Sequence, residues 1–292
     1  MTVKDTLILI LLAAIWGASF LFMRVSVPEM GVAPLMEVRV LVGTFCLVPI
    51  LLWRYRKQIQ PSLFKHMLVI GATNSALPFT LLAYATIYLS AGYTSLLNST
   101  VPLWSAIIGS LWLKEEMTRW QMLGIFLGFV GVLVLIIGQG RLDFSGTTMA
   151  ILASLMATLS YAVSASYTKR CLKGVPAMVT SALSLVMAAI LLAPFAWQNW
   201  PAGPVSLLSW GNAVALGVLC TAFAYLLFFG LIERAGATKA VTVTFLIPAF
   251  AVVWGWMFLQ EVLTLSMLAG CAVIFAGTAL TLGLIKPGNR NE

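Results

Sequence analysis

The chain has 292 residues, of which 61% are hydrophobic and 9% charged, with a formal net charge of +8. A soluble domain carries roughly 25% charged residues, so this chain cannot cover itself with a polar surface and is expected to sit in lipid. Its basic residues are scattered along the sequence rather than gathered on one face, which excludes a nucleic-acid footprint.

One spanning helix needs about 20 apolar residues, and the charges cut the chain into uncharged runs of that order. The first run lies between Asp5 and Arg24. It reads as a signal anchor rather than a cleaved signal, because its apolar core is long and no small-residue cleavage site follows it. The run from Arg39 to Arg54 is too short for a span, so the second helix is expected to begin near Pro34 and to carry Arg39 about one turn inside the membrane. Residues 67–113 can hold the third and fourth spans, and residues 174–232 the seventh and eighth. Residues 120–140, 144–168, 240–260 and 262–285 supply the fifth, sixth, ninth and tenth. The expected fold class is therefore an all-α integral membrane protein with ten transmembrane helices. Fourteen Lys and Arg residues fall on the side of the termini, and three, Arg24, Arg39 and Arg141, on the other. The positive-inside rule makes the first side cytoplasmic.

The four cysteines, Cys46, Cys171, Cys220 and Cys271, are spread out, and His66 is the single histidine. No metal-ligand spacing exists, so no metal and no cofactor are expected; the cysteines read as small core residues and His66 as solvated at the membrane edge. No paired Asp, Ser–His set or metal site argues for an enzyme. No Asp, Glu, His or Lys is expected at mid-membrane depth, which favours facilitated efflux or exchange over carboxylate-based proton antiport.

The segment VPLWSAIIGSLWLKEE, from Val101 to Glu116, returns as IPAFAVVWGWMFLQE, from Ile247 to Glu261. A shift of 146 places Pro102 on Pro248, Glu115 on Glu261, Thr118 on Thr264, Gly124 on Gly270, Phe129 on Phe275 and Gly131 on Gly277. Upstream, Ala91-Gly92 matches Ala235-Gly236 at a shift of 144. Five helices per unit would send the second copy through the membrane in the opposite sense, an inverted repeat of the kind secondary transporters use. The expected boundary gives one repeat over residues 1–140 and another over 141–292.

Proline removes a backbone donor and orphans the carbonyl four residues earlier. For Pro78, Pro102 and Pro248 that carbonyl belongs to Asn74, Asn98 and Thr244. Such sites are tolerated against a neighbour or a wet cavity, so these prolines are expected to kink the third, fourth and ninth helices. The polar side chains either line that cavity or glue adjacent helices together.

On AAIWGASFLFMR (Ala13 to Arg24), Arg39, the stretch from Ala91 to Val132 and its copy from Ala235 to Leu280, the chain resembles the EamA-type ten-helix exporters of the drug/metabolite transporter superfamily. The resemblance implies two inverted five-helix repeats around a central cavity, with the fifth and tenth helices at the back. It also implies export or exchange of small metabolites, often amino acids, by a multi-pass protein of the bacterial cytoplasmic membrane. The sixth helix lacks an equivalent of Trp16-Gly17.

Polar and aromatic residues at mid-depth are the candidate substrate contacts: Trp16, Ser19, Asn74, Tyr84, Asn98, Trp104, Tyr161, Ser164, Tyr225 and Thr244, with Thr168, Thr221 and Thr242 on the same faces. Together they would make an uncharged, aromatic-rich cavity suited to amphipathic or zwitterionic small molecules. A carrier of nucleotide sugars, phosphorylated metabolites or lipids is the alternative, and would want deep basic residues. Arg39 alone comes close; it either snorkels to the interface, attracts a substrate carboxylate or pairs with Glu37 or Glu29. Glu115 and Glu261 read as capping or turn-forming residues, with gating as the other reading. The expected partners are a small-molecule substrate and the bilayer, and the protein is expected as a monomer or weak homodimer. Gly124, Gly128 and Gly131 allow close packing within the chain or between copies.

Overall fold

The computed structural model describes residues 1–138 and 146–284. Arg141, Lys286 and Arg290, which enter the charge count above, lie outside them. The described residues form helices throughout and contain no strand. Nine helical stretches among them are long and apolar enough to cross a membrane, and a tenth apolar helix, Leu265–Thr281, is shorter at 17 residues.

Chain order shows how local chemistry sets the helix ends. A reciprocal Thr2–Asp5 capping box starts α1, Val3–Met30. Gly31, at φ 78°, turns the chain where a side chain would be strained, and α2, Val32–Arg54, begins at once. Next come α3, Phe64–Ile70, a six-residue π-helical segment, Gly71–Ala76, and α4, Leu77–Tyr88, running on as one rod. The next span is broken: α5, Ala91–Asn98, is capped by Ser90, and α6, Val101–Leu113, starts after a turn at Ser99 and Thr100. Then follow α7, Arg119–Gly138; α8, Gly146–Cys171; and α9, Ala177–Gln198. A second π-helical segment, Val218–Phe223, joins α10, Leu207–Gly217, to α11, Ala224–Ala235. The last pair is α12, Ala237–Val241, with α13, Val243–Leu259, and then α14, Leu265–Thr281.

Several helix boundaries keep the interval read from the residues. α5 and α12, α6 and α13 at their C-termini, and α7 and α14 all start or end 146 residues apart. The two-residue slip read at Ala235-Gly236 is therefore not needed: Ala91 opens its helix as Ala237 opens the other. α6 and α13 end alike, with a left-handed residue, Lys114 (φ 57°) or Gln260 (φ 54°), after the last turn. The following Glu115 or Glu261 then donates its N–H to the carbonyl of Gly109 or Gly255, also 146 apart.

α7 and α14 pack so closely that glycine is required. A Cβ on Gly124 would come within 2.6 Å of the Gly277 carbonyl oxygen, and one on Gly131 within 3.0 Å of that of Gly270. Early residues of one helix meet late residues of the other, so the two run antiparallel. These glycines pack within the chain. Large side chains such as Trp53, at 85% exposed, and Trp197, at 84%, point outward, as lipid-facing residues do.

Candidate functional site

The two π-helical segments face a common interior. They also correspond: Gly71 and Gly217, Ser75 and Thr221, and Phe79 and Tyr225 are each 146 apart. Gly71 opens the first segment, Gly217 directly precedes the second, and each lets the chain there touch a neighbouring backbone. A Cβ at Gly71 would come within 2.7 Å of the Ser184 carbonyl on α9, and one at Gly217 within 2.9 Å of the Arg39 carbonyl on α2. π-helical turns leave backbone groups out of register and are frequent at functional sites.

Around the second segment the structure gathers residues from several helices. Trp16 Nε1 on α1 donates to the Cys220 carbonyl at 3.1 Å, and its ring lies 5.3 Å from that of Phe228. Cys220 Sγ donates to the Ile15 carbonyl. Thr221 Oγ1 donates to the Leu216 carbonyl, five residues back, and accepts from Arg39 Nε at 3.1 Å. The Arg39 guanidinium stacks 3.7 Å over the Phe79 ring. Its charge also acts on Tyr161 of α8, Tyr225 of α11 and Cys220. The Tyr225 hydroxyl lies beside the side chains of Asn74 and Ser75. Ser160 of α8 donates to the Thr73 carbonyl at 2.7 Å and ties α8 to the first π-helical segment.

Trp16, Asn74, Tyr161 and Tyr225 thus come together, and Arg39 joins them. Arg39 is 6% exposed and faces inward, so the snorkelling reading falls. It also lies two turns inside α2, because that helix starts at Val32 rather than Pro34. Pairing with Glu37 or Glu29 falls too: the ion pairs among the described residues are Lys169–Glu115 and Arg234–Asp5, and Glu29 instead accepts from the Ser206 N–H. Glu37 is buried with an unpartnered Oε2.

The remaining predicted residues sit elsewhere. Asn98 Oδ1 and Trp104 Nε1, on either side of the α5–α6 break, are buried and unpartnered, and the Trp104 ring stands edge-on to Phe129 at 5.0 Å. Pro102 is the second residue of α6 and Pro78 the second of α4. α13 runs through Pro248, the break in that span falling at Thr242. Ser19 donates to the Trp16 carbonyl of its own helix, and Thr244 donates back across the α12–α13 break to the Val241 carbonyl. Ser164 is buried and its carbonyl accepts from Thr168. Tyr84 packs edge-on to Tyr88. His66 is not simply solvated: its Nδ1 is 2.8 Å from the Tyr167 hydroxyl. Cys171 is exposed and so is no core residue. No group of three or more His, Cys, Asp or Glu that could hold a metal occurs among the described residues.

The repeated glutamates behave differently. Glu261 Oε1 accepts the Ala91 N–H at 2.8 Å and Oε2 the Gly92 N–H at 3.3 Å, capping the first turn of α5. That helix end carries a partial positive charge. Glu115, with its side chain 47% exposed, pairs with Lys169 of α8 instead. The helices follow suit: α5 packs on α13, whereas α12 packs on α11. The two broken spans therefore meet at the Glu261 end.

Apolar outward faces, broken helices and polar groups held inside by several helices define a multi-pass membrane protein. The EamA-like transporter family profile matches residues 5–137 and again 148–283, and the chain belongs to that family. Two transporters of Bacillus subtilis (strain 168) described as uncharacterized, YoaV and YvbV, are 25% and 28% identical to it, covering 94% and 95% of this chain and 95% and 91% of their own. A probable terminal-alkyne amino-acid exporter of Streptantibioticus cattleyicolor is 25% identical, over 97% of both chains. A solved structure with 17% identity covers 99% of this chain and 100% of its own at a TM-score of 0.68, and so shares the fold.

Proposed function

We propose that the protein exports or exchanges small metabolites, amino acids or related amphipathic compounds foremost, by opening the two ends of one interior site in turn. The observation that carries this reading is the asymmetry of a symmetric pair. Glu261 and Glu115 occupy equivalent positions, yet Glu261 caps the opposing broken helix while Glu115 pairs with Lys169 of α8. In the second conformer Glu115 caps the start of α12 and Glu261 releases α5. Each glutamate is then a latch for one end, and the turns at Ser99–Thr100 and Thr242 are the flexible points.

Two inverted repeats, residues 1–140 and 141–292, support this cycle. The double family match and the antiparallel contact of α7 with α14 favour them. With α14 as the tenth span, both termini lie on the basic-rich side, the cytoplasmic face of the inner membrane. The conformer described is then the one latched at its outward end. The α7–α14 glycines are used within the chain, which suits a functional monomer. Trp16, Asn74, Tyr161 and Tyr225 line the site with Asn98 and Trp104. One buried cation is too few for a nucleotide sugar, which favours the amino-acid reading; the alkyne amino-acid exporter named among the relatives is in keeping with it.

Uptake by proteoliposomes tests the substrate class. Labelled neutral and aromatic amino acids should move saturably. Saturable uptake of nucleotide sugars or phosphorylated compounds, with none of amino acids, would replace the reading by its alternative.

A further inference from the structure

We propose that Arg39 is the anchor for a single carboxylate on the transported compound. This rests on the transport reading above and names the group its substrates share.

Arg39 is held but not neutralised. Thr221 takes its Nε and Phe79 lies under its plane. Both interactions orient a guanidinium, and neither supplies negative charge. Its Nη groups donate to no protein acceptor among the described residues, yet they are absent from the buried unpartnered atoms, so they face open space. Glu37 lies two positions away on the same helix and cannot face it. An inward cation without a counter-ion is costly. Oriented edge-on to open space, it is a fork that fits a carboxylate with two parallel hydrogen bonds.

Repeat symmetry separates this role from scaffolding. Pro102 and Pro248, the glutamates and the close-packed glycines recur at the 146-residue spacing, and the two π-helical segments start 147 residues apart. Arg39 does not: its counterpart is Leu185, fully buried. The counterpart of its partner Thr221 is Ser75, whose hydroxyl has no partner. The architecture holds that position with a leucine in one repeat, so the charge in the other is not needed to build it. The surroundings describe the rest of the ligand. Phe79, Trp16 and Phe228 offer apolar faces, while Tyr161, Tyr225 and Asn74 offer neutral hydrogen-bonding groups. One cation without a second Lys or Arg beside it matches a monocarboxylate with an apolar body better than a phosphate dianion.

Binding to the purified protein tests this without requiring transport. The probes are 3-phenylpropionate and its near-isosteric amide, 3-phenylpropionamide, titrated by tryptophan fluorescence. Wild type should bind the acid about tenfold or more tightly than the amide, the scale expected for a charge-assisted pair. Arg39→Gln should bring the ratio to about one, and Arg39→Lys should keep a weaker preference for the acid. Equal binding of the two probes by wild type, or no binding of the acid, overturns the proposal even if no variant folds. So does a ratio unchanged in Arg39→Gln. If vesicles carry neutral amino acids while the ratio is one, the anchor fails and the transport reading stands. If no flux exists but acid-selective, Arg39-dependent binding does, the transport reading fails instead.

Discussion

Replacing Glu261 by Gln should open the end of the protein that is now shut. The carboxylate accepts two backbone N–H groups, at 2.8 and 3.3 Å, from the first turn of α5. A hydrogen bond to a charged group contributes about 1.5–3 kcal/mol, and an anion at a helix N-terminus about 0.3–1 kcal/mol. Gln keeps one acceptor and loses the charge. With the second contact long and the residue only partly buried, a loss of about 2 kcal/mol from the latched conformer is a fair estimate. At 1.4 kcal/mol per factor of ten, that shifts the population about 30-fold towards the other conformer. The assay is labelling of a single cysteine, introduced as Asn98→Cys in a cysteine-free background, by a membrane-impermeant thiol reagent. Labelling from the side opposite the termini should accelerate about tenfold or more in the Glu261→Gln protein. A folded variant with labelling rates unchanged from both sides would refute the latch.

Other perturbations follow from the same contacts. Glu115→Gln should change the stability of this conformer by less than about 1 kcal/mol, since an exposed ion pair is worth little, yet it should slow the return of the cycle in a flux assay. Gly124→Val should lower the thermal midpoint, because its Cβ would meet the Gly277 carbonyl oxygen at 2.6 Å and overpacking costs about 1–3 kcal/mol; a midpoint equal to wild type would contradict the close crossing. Trp16→Phe leaves the Cys220 carbonyl without its donor and should cost about 1–3 kcal/mol in denaturant titration. Asn74→Ala and Asn98→Ala should each reduce flux in vesicles with the fold intact by circular dichroism; wild-type flux in both would remove them from the lining.

The spacing from Pro102 to Glu115 and from Pro248 to Glu261 reveals the duplication because proline, glycine and glutamate are rare inside apolar spans and stand out at a fixed interval. The same residues do not tell which backbone a glutamate will cap, since Ala91 and Glu261 lie 170 positions apart. The π-helical segments were also invisible. GATNSA and VLCTAF share almost no side chains, and the backbone approaches at Gly71 and Gly217 that accompany the wide turns appear only in tertiary packing. Insertion cost flags Arg39 but not its direction; Phe79 and Thr221, which turn it inward, lie on other spans. Gly124 and Gly131 signal a close crossing, but their partner could be named only when Gly277 and Gly270 were seen opposite them. Thr244 and Ser19 show the converse: side chains promising by position donate to carbonyls only three residues back.

Exchange across vesicles tests most directly that one site opens alternately to two sides. Vesicles preloaded with an unlabelled neutral amino acid should take up the labelled compound several-fold faster than empty vesicles, because the loaded site returns faster than the empty one. Uptake that is linear in concentration and indifferent to the compound inside would contradict alternating access and leave a passive pore.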